Sequence, residues 1–279
     1  MNGNIKPASR LSGCFDPSGR FLLLNGTGRK IATEPGIRPR LLVFPFAGGS
    51  CLALRPFLSG LASQVDIWGA EYPGRGFRSS EPPVDRVDSL VEEFVDAISR
   101  ADDIPTLLLG YSFGALVAYE VALRLRSSPA ARPVGLIAVS AKAPHFASAS
   151  LRAHALSDRE LIDYLRRLDG TAEEILNNTG MMEQFLPAIR ADLRAYQTYE
   201  NEARLPLDCP VVAIHGSADP FVEAAHMLAW RDYGENAAFR CHEVASGHFC
   251  HRDAPQELGR LLDSVLTSLM IAPLEPFHA

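Results

Sequence analysis

Short apolar runs and amphipathic helical patterns alternate along most of this 279-residue chain. Six runs have the length of buried strands: "RLLVFPF" (40–46), "DIWGAEY" (66–72), "PTLLLG" (105–110), "VGLIAVS" (134–140), "CPVVAIHG" (209–216) and "AFRCHEV" (238–244). The helical patterns lie at about 50–62, 86–100, 112–127, 221–233 and 255–270. Strands that alternate with helices predict an α/β fold, with a mostly parallel central sheet and helices on both of its faces.

The stretch from about 145 to 205 interrupts this alternation, because it has two amphipathic patterns and no convincing strand. The first, "SDRELIDYLRRL", begins with the capping box Ser157 and Glu160. Its apolar face is Leu161, Leu165 and Leu168, and that of the second, "EQFLPAIRADLRAYQTYE", is Phe185, Ile189, Leu193 and Tyr196. We expect a helical cap, or lid, inserted before the penultimate strand, over the sheet edge where α/β proteins bind ligands. A solvated helical hairpin without a role is the alternative.

The chain ends and the composition set further expectations. Residues 1–38 are rich in Gly, Pro, Ser and Arg and predict a partly irregular extension with a short strand at "RFLLLNG", followed by one domain at 39–279. Neither a signal peptide nor a membrane-spanning apolar stretch is found, so we expect a cytoplasmic protein. The net charge of -6 gives no reason to expect nucleic acid binding. Five scattered cysteines without CxxC spacing favour reduced thiols over disulfides or a zinc site.

The pentapeptide GYSFG, with Ser112 at its centre, fits the G-x-S-x-G pattern of a nucleophile elbow. A strand candidate precedes it, and an apolar helical pattern without Pro or Gly follows it. Serine is also a favoured helix N-cap, so a purely structural role is the alternative. The strand–turn–helix setting favours a nucleophile.

A nucleophilic serine needs a base and an orienting carboxylate, which follow in the order acid, then His, in this type of fold. Of the eight histidines, His248 lies in "VASGHFC", just after the last strand candidate, where the base is expected. His251 is its nearest rival but lies at the approach to the final helix, and His215 is expected to pack at a strand end. Asp219, in "VVAIHGSADPFV", directly follows a late strand and is the candidate acid, although Asp-Pro also suits a simple turn.

The oxyanion of an acyl-transfer intermediate needs two hydrogen-bond donors. One is expected to be the backbone N–H of Phe113, directly after the nucleophile. The loop "FPFAGGS" follows the first core strand and supplies the second, from the N–H of Ala47, with Phe46 as the alternative. A phosphate-binding loop is not indicated, since no GK[ST] follows the glycine pair.

Seven motifs together resemble those of type II thioesterases, the stand-alone editing hydrolases that accompany nonribosomal peptide and polyketide synthases. They are "LLVFPFAGGS", "YPGRGFR", "GYSFGALVAYE", "SAKAPHF", "LPAIRADL", "GSADPFV" and "SGHFC", and they cover about 38 to 270. The resemblance implies an α/β-hydrolase fold. The triad mechanism needs no metal or cofactor, so we expect none, and we expect a monomer. Its implied substrate is an acyl thioester on the phosphopantetheine arm of a carrier protein. Position by position, Ser112 becomes the nucleophile, His248 the base and Asp219 the acid.

The chain departs from the family pattern in places that leave the triad intact. Tyr111 and Phe113 stand where the elbow usually has His and Met, and "SAKAP" replaces "SGRRAP". Arg190 and Asp192 match the family's "RAD", and we expect them to form a structural tie between cap and core and to take no part in the chemistry. A carboxylesterase or lipase, and an acyltransferase, share this fold and triad and stay as alternatives. A non-enzymatic binding protein is the alternative of another class, and such proteins usually have a broken triad.

Overall fold

The computed structural model describes residues 16–25, 39–58, 61, 65–99, 104–128, 131–147, 152–200, 203–234 and 238–271. The strands are β1 Phe21–Leu23, β2 Arg40–Phe44, β3 Asp66–Ala70, β4 Thr106–Tyr111, β5 Gly135–Val139, β6 Val211–Gly216 and β7 Arg240–Val244. The helices are α1 Cys51–Leu58, α2 Val87–Ser99, α3 Phe113–Leu125, α4 Asp158–Leu168, α5 Glu173–Leu176, α6 Thr179–Gln197, α7 Ala224–Leu228, α8 Cys250–Asp253 and α9 Pro255–Ile271. Each of the six predicted core strands is present, within two residues of its expected start and end.

The strands form one sheet in the order β1-β3-β2-β4-β5-β6-β7 among the described residues. All neighbouring pairs from β3 to β7 are parallel, and only β1 runs antiparallel, against β3. The mostly parallel α/β sheet predicted from the alternation is therefore confirmed. The short strand expected at "RFLLLNG" is also present as β1, while most of the rest of 1–38 lies outside the described residues.

The sheet has a separate apolar core on each face, because alternate side chains of its fully buried strands point in opposite directions. In β4, Leu108 packs with α2 and α3 on one face, whereas Leu107 and Leu109 pack with α1 and α9 on the other. On the first face the rings of Phe44 and Phe94 meet edge to face with centroids 5.2 Å apart. Helices on both faces thus leave the carboxyl ends of the parallel strands as the place for a site.

The predicted lid consists of α4, α5 and α6, which lie between β5 and the penultimate strand β6. These helices share an apolar cluster of Leu161, Leu165, Leu176, Met182, Leu186, Ile189 and Leu193. The capping box of Ser157 and Glu160 opens α4 as predicted. Phe185 is a correction: it is 40% exposed, because Met182 and Leu186 fill the inward positions on α6.

The described cysteines are free thiols, and the described helices are not of membrane-spanning type. Cys51, Cys209 and Cys250 are buried free thiols, Cys241 is a partly buried one, and Cys14 lies outside the described residues. Among the described residues, no helix is both long and apolar enough to cross a lipid bilayer.

The aromatic core gives a stability prediction. Phe94 is fully buried against Phe21, Phe44 and Tyr72, so Phe94→Ala should lower the free energy of unfolding by about 3–5 kcal/mol. Phe185→Ala is the matched control, because the same truncation on the exposed lid surface should cost less than about 1 kcal/mol. Urea unfolding followed by circular dichroism measures both, and equal losses would contradict the described core.

Candidate active site

Ser112 lies in a sharp turn between β4 and α3, with φ 52° and ψ -116°. This left-handed backbone costs about 1–3 kcal/mol in a non-glycine residue and is typical of functional turns. A Cβ atom on Gly110 would overlap the backbone of Ala115, and one on Gly114 would overlap the Phe44 carbonyl oxygen. The Ser112 side chain makes no helix-capping hydrogen bond. The geometry is that of a nucleophile elbow, and the N-cap alternative is not supported.

The structure brings together the three residues predicted to act on the substrate. His248 Nε2 lies 3.2 Å from Ser112 Oγ, and His248 Nδ1 lies 2.7 Å from Asp219 Oδ2. The Asp219 side chain is fully buried, and its Oδ1 accepts hydrogen bonds from the N–H groups of Phe221 (2.8 Å) and Val222 (3.1 Å). Because a carboxylate only accepts, His248 Nδ1 donates to it and Nε2 is left to accept from the serine hydroxyl.

Tyr111 holds the loop that carries His248, a role that the sequence did not suggest. Its hydroxyl donates a 2.7 Å hydrogen bond to the His248 carbonyl oxygen, and its ring is stacked with Phe249 at a centroid distance of 6.5 Å. Burial raises the pKa of Tyr111 well above its usual value, so the hydroxyl stays a donor. The departure of this position from the family's usual His was visible in the sequence, but the hydrogen-bond partner is 137 residues away.

The predicted oxyanion donors lie in the two expected places. Phe113 is the first residue of α3, and Ala47 lies in the loop between β2 and α1. Neither backbone N–H, nor that of the alternative Phe46, donates a hydrogen bond within the described part of the chain. The Gly48 N–H is excluded as a donor, because it is bonded to Asp192 Oδ2 at 2.7 Å. Ala47 and Phe113 stay the predicted pair.

Asp192 ties the lid to the core, as expected from the sequence. Its fully buried carboxylate forms a two-pronged ion pair with Arg75, with Nη2 to Oδ1 at 2.8 Å. Arg190 does not have the expected role, because it bonds to the carbonyl oxygens of His154 and Leu156, both at 2.6 Å, and to Asp158. Arg190 lies two residues, more than half a helical turn, from Asp192, so it points into the lid itself.

Sequence reasoning missed Glu71, a buried carboxyl group next to Ser50 in the loop between β2 and α1. Its Oε2 accepts a 2.6 Å hydrogen bond from the Ser50 hydroxyl, and its Oε1 has no partner among the described residues. Burial raises the pKa of Glu71. Gly76 has φ 51°, and a Cβ there would overlap the Glu71 carboxyl group, so the glycine of "PGRG" makes room for it. Gly76 was therefore the sequence feature that could have indicated a buried group at this turn.

The rival histidines have other surroundings. His251 stacks on Phe46 at a centroid distance of 5.7 Å, and its buried Nδ1 has no hydrogen-bond partner among the described residues. Burial, assisted by the nearby Arg252, lowers the pKa of His251 to about 4. His215 is buried at the end of β6, as expected. Within the described ranges, no group of three or more His, Cys, Asp or Glu side chains could hold a metal ion.

Comparisons with known proteins agree on one family. The family model described as "Thioesterase domain" matches residues 39–266. Thioesterase PikA5 of Streptomyces venezuelae is 33% identical over 231 residues, covering 82% of each chain. The RedJ thioesterase of Streptomyces coelicolor, from the prodiginine pathway, is 34% identical with a TM-score of 0.74, over 86% of this chain and 91% of RedJ. The type II thioesterase BorB from the borrelidin cluster is 31% identical with a TM-score of 0.73, over 90% and 96%.

The sheet, the lid and the elbow define an α/β-hydrolase, as the motifs predicted. The chain belongs to the thioesterase family, because the family model spans most of it and relatives above 30% identity cover it over more than two thirds. The resemblance to type II thioesterases is confirmed, and the protein is a serine hydrolase that acts on thioesters.

His251 gives a prediction on acid stability. In the folded protein the His251 ring stays neutral down to about pH 4, whereas in the unfolded chain it takes up a proton near pH 6.5. The free energy of unfolding therefore falls as the pH decreases from about 6.5 to about 4. His251→Leu should be destabilised less by acid than the wild type. In that pH window the difference between their free energies of unfolding should change by up to about 1.4 kcal/mol per pH unit. Denaturant unfolding at pH 7.0, 5.5 and 4.5 measures this, and parallel curves for both proteins would contradict it.

Proposed function

We propose that this protein removes acyl groups from the phosphopantetheine arms of carrier proteins in a nonribosomal peptide or polyketide synthase, and so frees stalled assembly lines. The observation that carries the proposal is the hydrogen-bonded series Ser112, His248 and Asp219 at a strained elbow. The similar structure of YbtT, described as a type II thioesterase from the yersiniabactin nonribosomal peptide and polyketide pathway, supports the choice of substrate. The monomeric state and the cytoplasmic location expected from the sequence stay predictions.

In the proposed first step, Ser112 Oγ attacks the thioester carbonyl carbon while His248 Nε2 takes the hydroxyl proton. The buried Asp219 carboxylate stabilises the imidazolium that forms and holds the ring in its orientation. The N–H groups of Ala47 and Phe113 donate hydrogen bonds to the oxyanion. The carbon–sulfur bond then breaks, the pantetheine thiolate takes the proton from His248, and the acyl group stays on Ser112.

In the second step, water attacks the acyl-serine, and His248 takes its proton as the base. Collapse of the second oxyanion breaks the ester bond and returns the proton to Ser112 Oγ, which releases a carboxylic acid. Every proton thus passes through His248 Nε2, the ring nitrogen that faces the serine. The cycle consumes one water and calls for neither a metal nor a cofactor.

A patch defined by Lys142, Phe146, His226 and Leu228 supports the proposed carrier partner; Phe146 and Leu228 are exposed, and Lys142 is partly buried. Phe146, at the start of the lid segment, is 39% exposed, and Leu228 on α7 is 48% exposed. The Phe146 ring packs on His226 at 5.0 Å, and burial together with nearby Lys142 lowers the pKa of His226. Carrier proteins are typically acidic, so a patch that combines Lys142 with apolar side chains suits them, although the enzyme has a net charge of -6.

The triad gives the central prediction. Ser112→Ala and His248→Ala should each remove nearly all hydrolysis of an acyl-loaded carrier protein, and the double variant should be hardly worse than Ser112→Ala alone. Asp219→Asn should cost on the order of a thousandfold or more, because the imidazole is badly oriented or in the wrong tautomer. Intact-mass analysis of carriers loaded with different acyl groups measures the loss of each group.

His242→Ala on β7 is the control, because this histidine pairs with Ile214 within the sheet, whereas His248 is the histidine hydrogen-bonded to Ser112 and Asp219, so the loss of His242 should leave the rate unchanged. A serine-directed phosphonate should label the wild type once and fail to label Ser112→Ala. Substantial hydrolysis by Ser112→Ala would disprove the nucleophile. Faster cleavage of a simple ester than of the matched carrier thioester would favour an esterase, and acyl transfer to an alcohol or amine would favour an acyltransferase.

The patch gives a separate prediction. The pair Lys142→Glu and Leu228→Asp should raise KM for an acyl carrier protein by about tenfold, through charge repulsion and lost apolar contact. KM for the free acyl-pantetheine thioester should stay within about twofold, because this substrate has no carrier surface. Steady-state kinetics with both substrates test this. Equal changes for the two would place the patch in the substrate channel and contradict its role in docking.

A further inference from the structure

We infer that Asp192, on lid helix α6, is a positioning residue that sets the oxyanion loop, defined here as residues 45–50 between β2 and α1. Stabilisation of the oxyanion then requires that α6 packs against the core. The inference rests on the proposed function only in requiring that the site forms an oxyanion at Ser112. It goes beyond a tie between lid and core, because it assigns that tie an effect on the rate of the chemical step.

The hydrogen bond from Gly48 N–H to Asp192 Oδ2, at 2.7 Å, is the first support. That N–H belongs to the peptide plane that joins Ala47 to Gly48, and the plane turns as a rigid unit. Holding it restrains ψ of Ala47 and, through the Ala47 Cα, limits the orientations open to the preceding peptide plane, which carries the predicted donor, the Ala47 N–H. Gly48 has φ 74°, a conformation that glycine adopts without strain. The loop is also held by the Gly49 N–H, which donates to the Phe46 carbonyl oxygen at 2.9 Å, and by the Tyr72 hydroxyl, which donates to the Pro45 carbonyl oxygen, while Asp192 holds Gly48 itself.

Apolar contacts from α6 reach both predicted donors. A Cβ on Gly48 would lie 2.6 Å from Ile189 Cγ1, so Ile189 lies directly against the loop. Ala47 packs against the lid cluster that contains Ile189 and also against the core. One helical turn further on from Asp192, the Tyr196 ring meets the Phe113 ring edge to face at 6.3 Å. The same helix therefore borders the oxyanion loop and the start of α3.

The ion pair explains how a carboxylate is kept so near a developing negative charge. Asp192 is fully buried, and Arg75 neutralises it with two hydrogen bonds from a side chain that is only 7% exposed. Unpaired, either group would carry an uncompensated buried charge. Arg75 lies in the turn after β3, so the loops that follow β2 and β3 and the lid helix meet at this carboxylate. The contacts of Asp192 with Gly48 and Arg75 form only while α6 is packed on the core.

Because of this arrangement, the enzyme discriminates between acyl groups through kcat. An acyl group that leaves α6 packed on the core reacts at a complete oxyanion site. An acyl group that displaces α6 from the core breaks the hydrogen bond between Gly48 and Asp192 and reacts at a less ordered loop. Such a group still binds but reacts slowly, because only interactions present in the transition state accelerate the chemical step. Acyl groups small enough to fit under the seated helix are therefore the preferred substrate class.

Asp192→Ala and Asp192→Asn test the inference with p-nitrophenyl acetate, an ester that forms the same oxyanion whether or not carrier proteins are the substrate. Asp192→Ala should lower kcat by about 100-fold, the size of losing one oxyanion donor, with KM within about threefold. Asp192→Asn keeps an oxygen that accepts from Gly48 N–H and should recover part of that loss. Affinity for an acyl trifluoromethyl ketone, which binds as a tetrahedral oxyanion, should fall in parallel with kcat/KM.

Arg190→Ala is the matched control, since it lies on the same helix two residues earlier and bonds only within the lid. It should lower Tm and leave kcat within about threefold, because the oxyanion loop is untouched. If Asp192→Ala does not fold, Ile189→Ala, which loosens the seat without burying a charge, should give a smaller loss of kcat with the same pattern.

Three results would overturn the inference: wild-type kcat in the Asp192 variants, an equal loss of kcat in Arg190→Ala, or a loss confined to KM. If Asp192→Ala does not fold, wild-type kcat in both Asp192→Asn and Ile189→Ala overturns it. Failure of the proposed function gives another outcome, in which the wild type cleaves the p-nitrophenyl ester but no carrier thioester. The two proposals are thus decided by different measurements.

Discussion

The left-handed backbone at Ser112 is the constraint on which the site depends. It turns the chain from β4 into α3 so tightly that Gly110 and Gly114 touch neighbouring backbone, including the end of β2. This closeness brings the loop after β2 next to Ser112, and the loop in turn contacts the lid. The strain is balanced by the two apolar cores that fix β4 at the middle of the sheet.

The fold and the meeting of Ser112, His248 and Asp219 were predictable because both follow from local patterns. Buried parallel strands read as aliphatic runs, and their carboxyl ends meet at one edge, so residues that directly follow strands are brought together. Ser112 and Asp219 each come directly after such a run, and His248 follows the last one within a few residues. Spacing along the sequence was therefore enough to propose all three, and their hydrogen bonds agree.

Partners distant in sequence were not predictable in the same way. Phe185 fits an apolar face as well as Met182 does, and only the direction in which α6 is packed leaves it exposed. Arg190 was expected to touch the core, but it points to the other side of its helix. Glu71 directly follows β3, and the glycine at position 76 was its only signal in the sequence, because its burial depends on how the turn with Gly76 folds over it. Tertiary packing decides each of these cases.

The contact between Arg75 and Asp192 joins a residue of the core to one of the lid across 117 positions of the sequence. Anyone who exchanges lids between members of this family to change their acyl selectivity divides that pair between two parents. A chimera whose second parent lacks the matching residue at either position inherits an orphaned charge in its interior, whatever the quality of the graft elsewhere. With such a parent, the boundaries of a transferable lid are set by electrostatics as well as by topology, and a working graft includes the turn after β3.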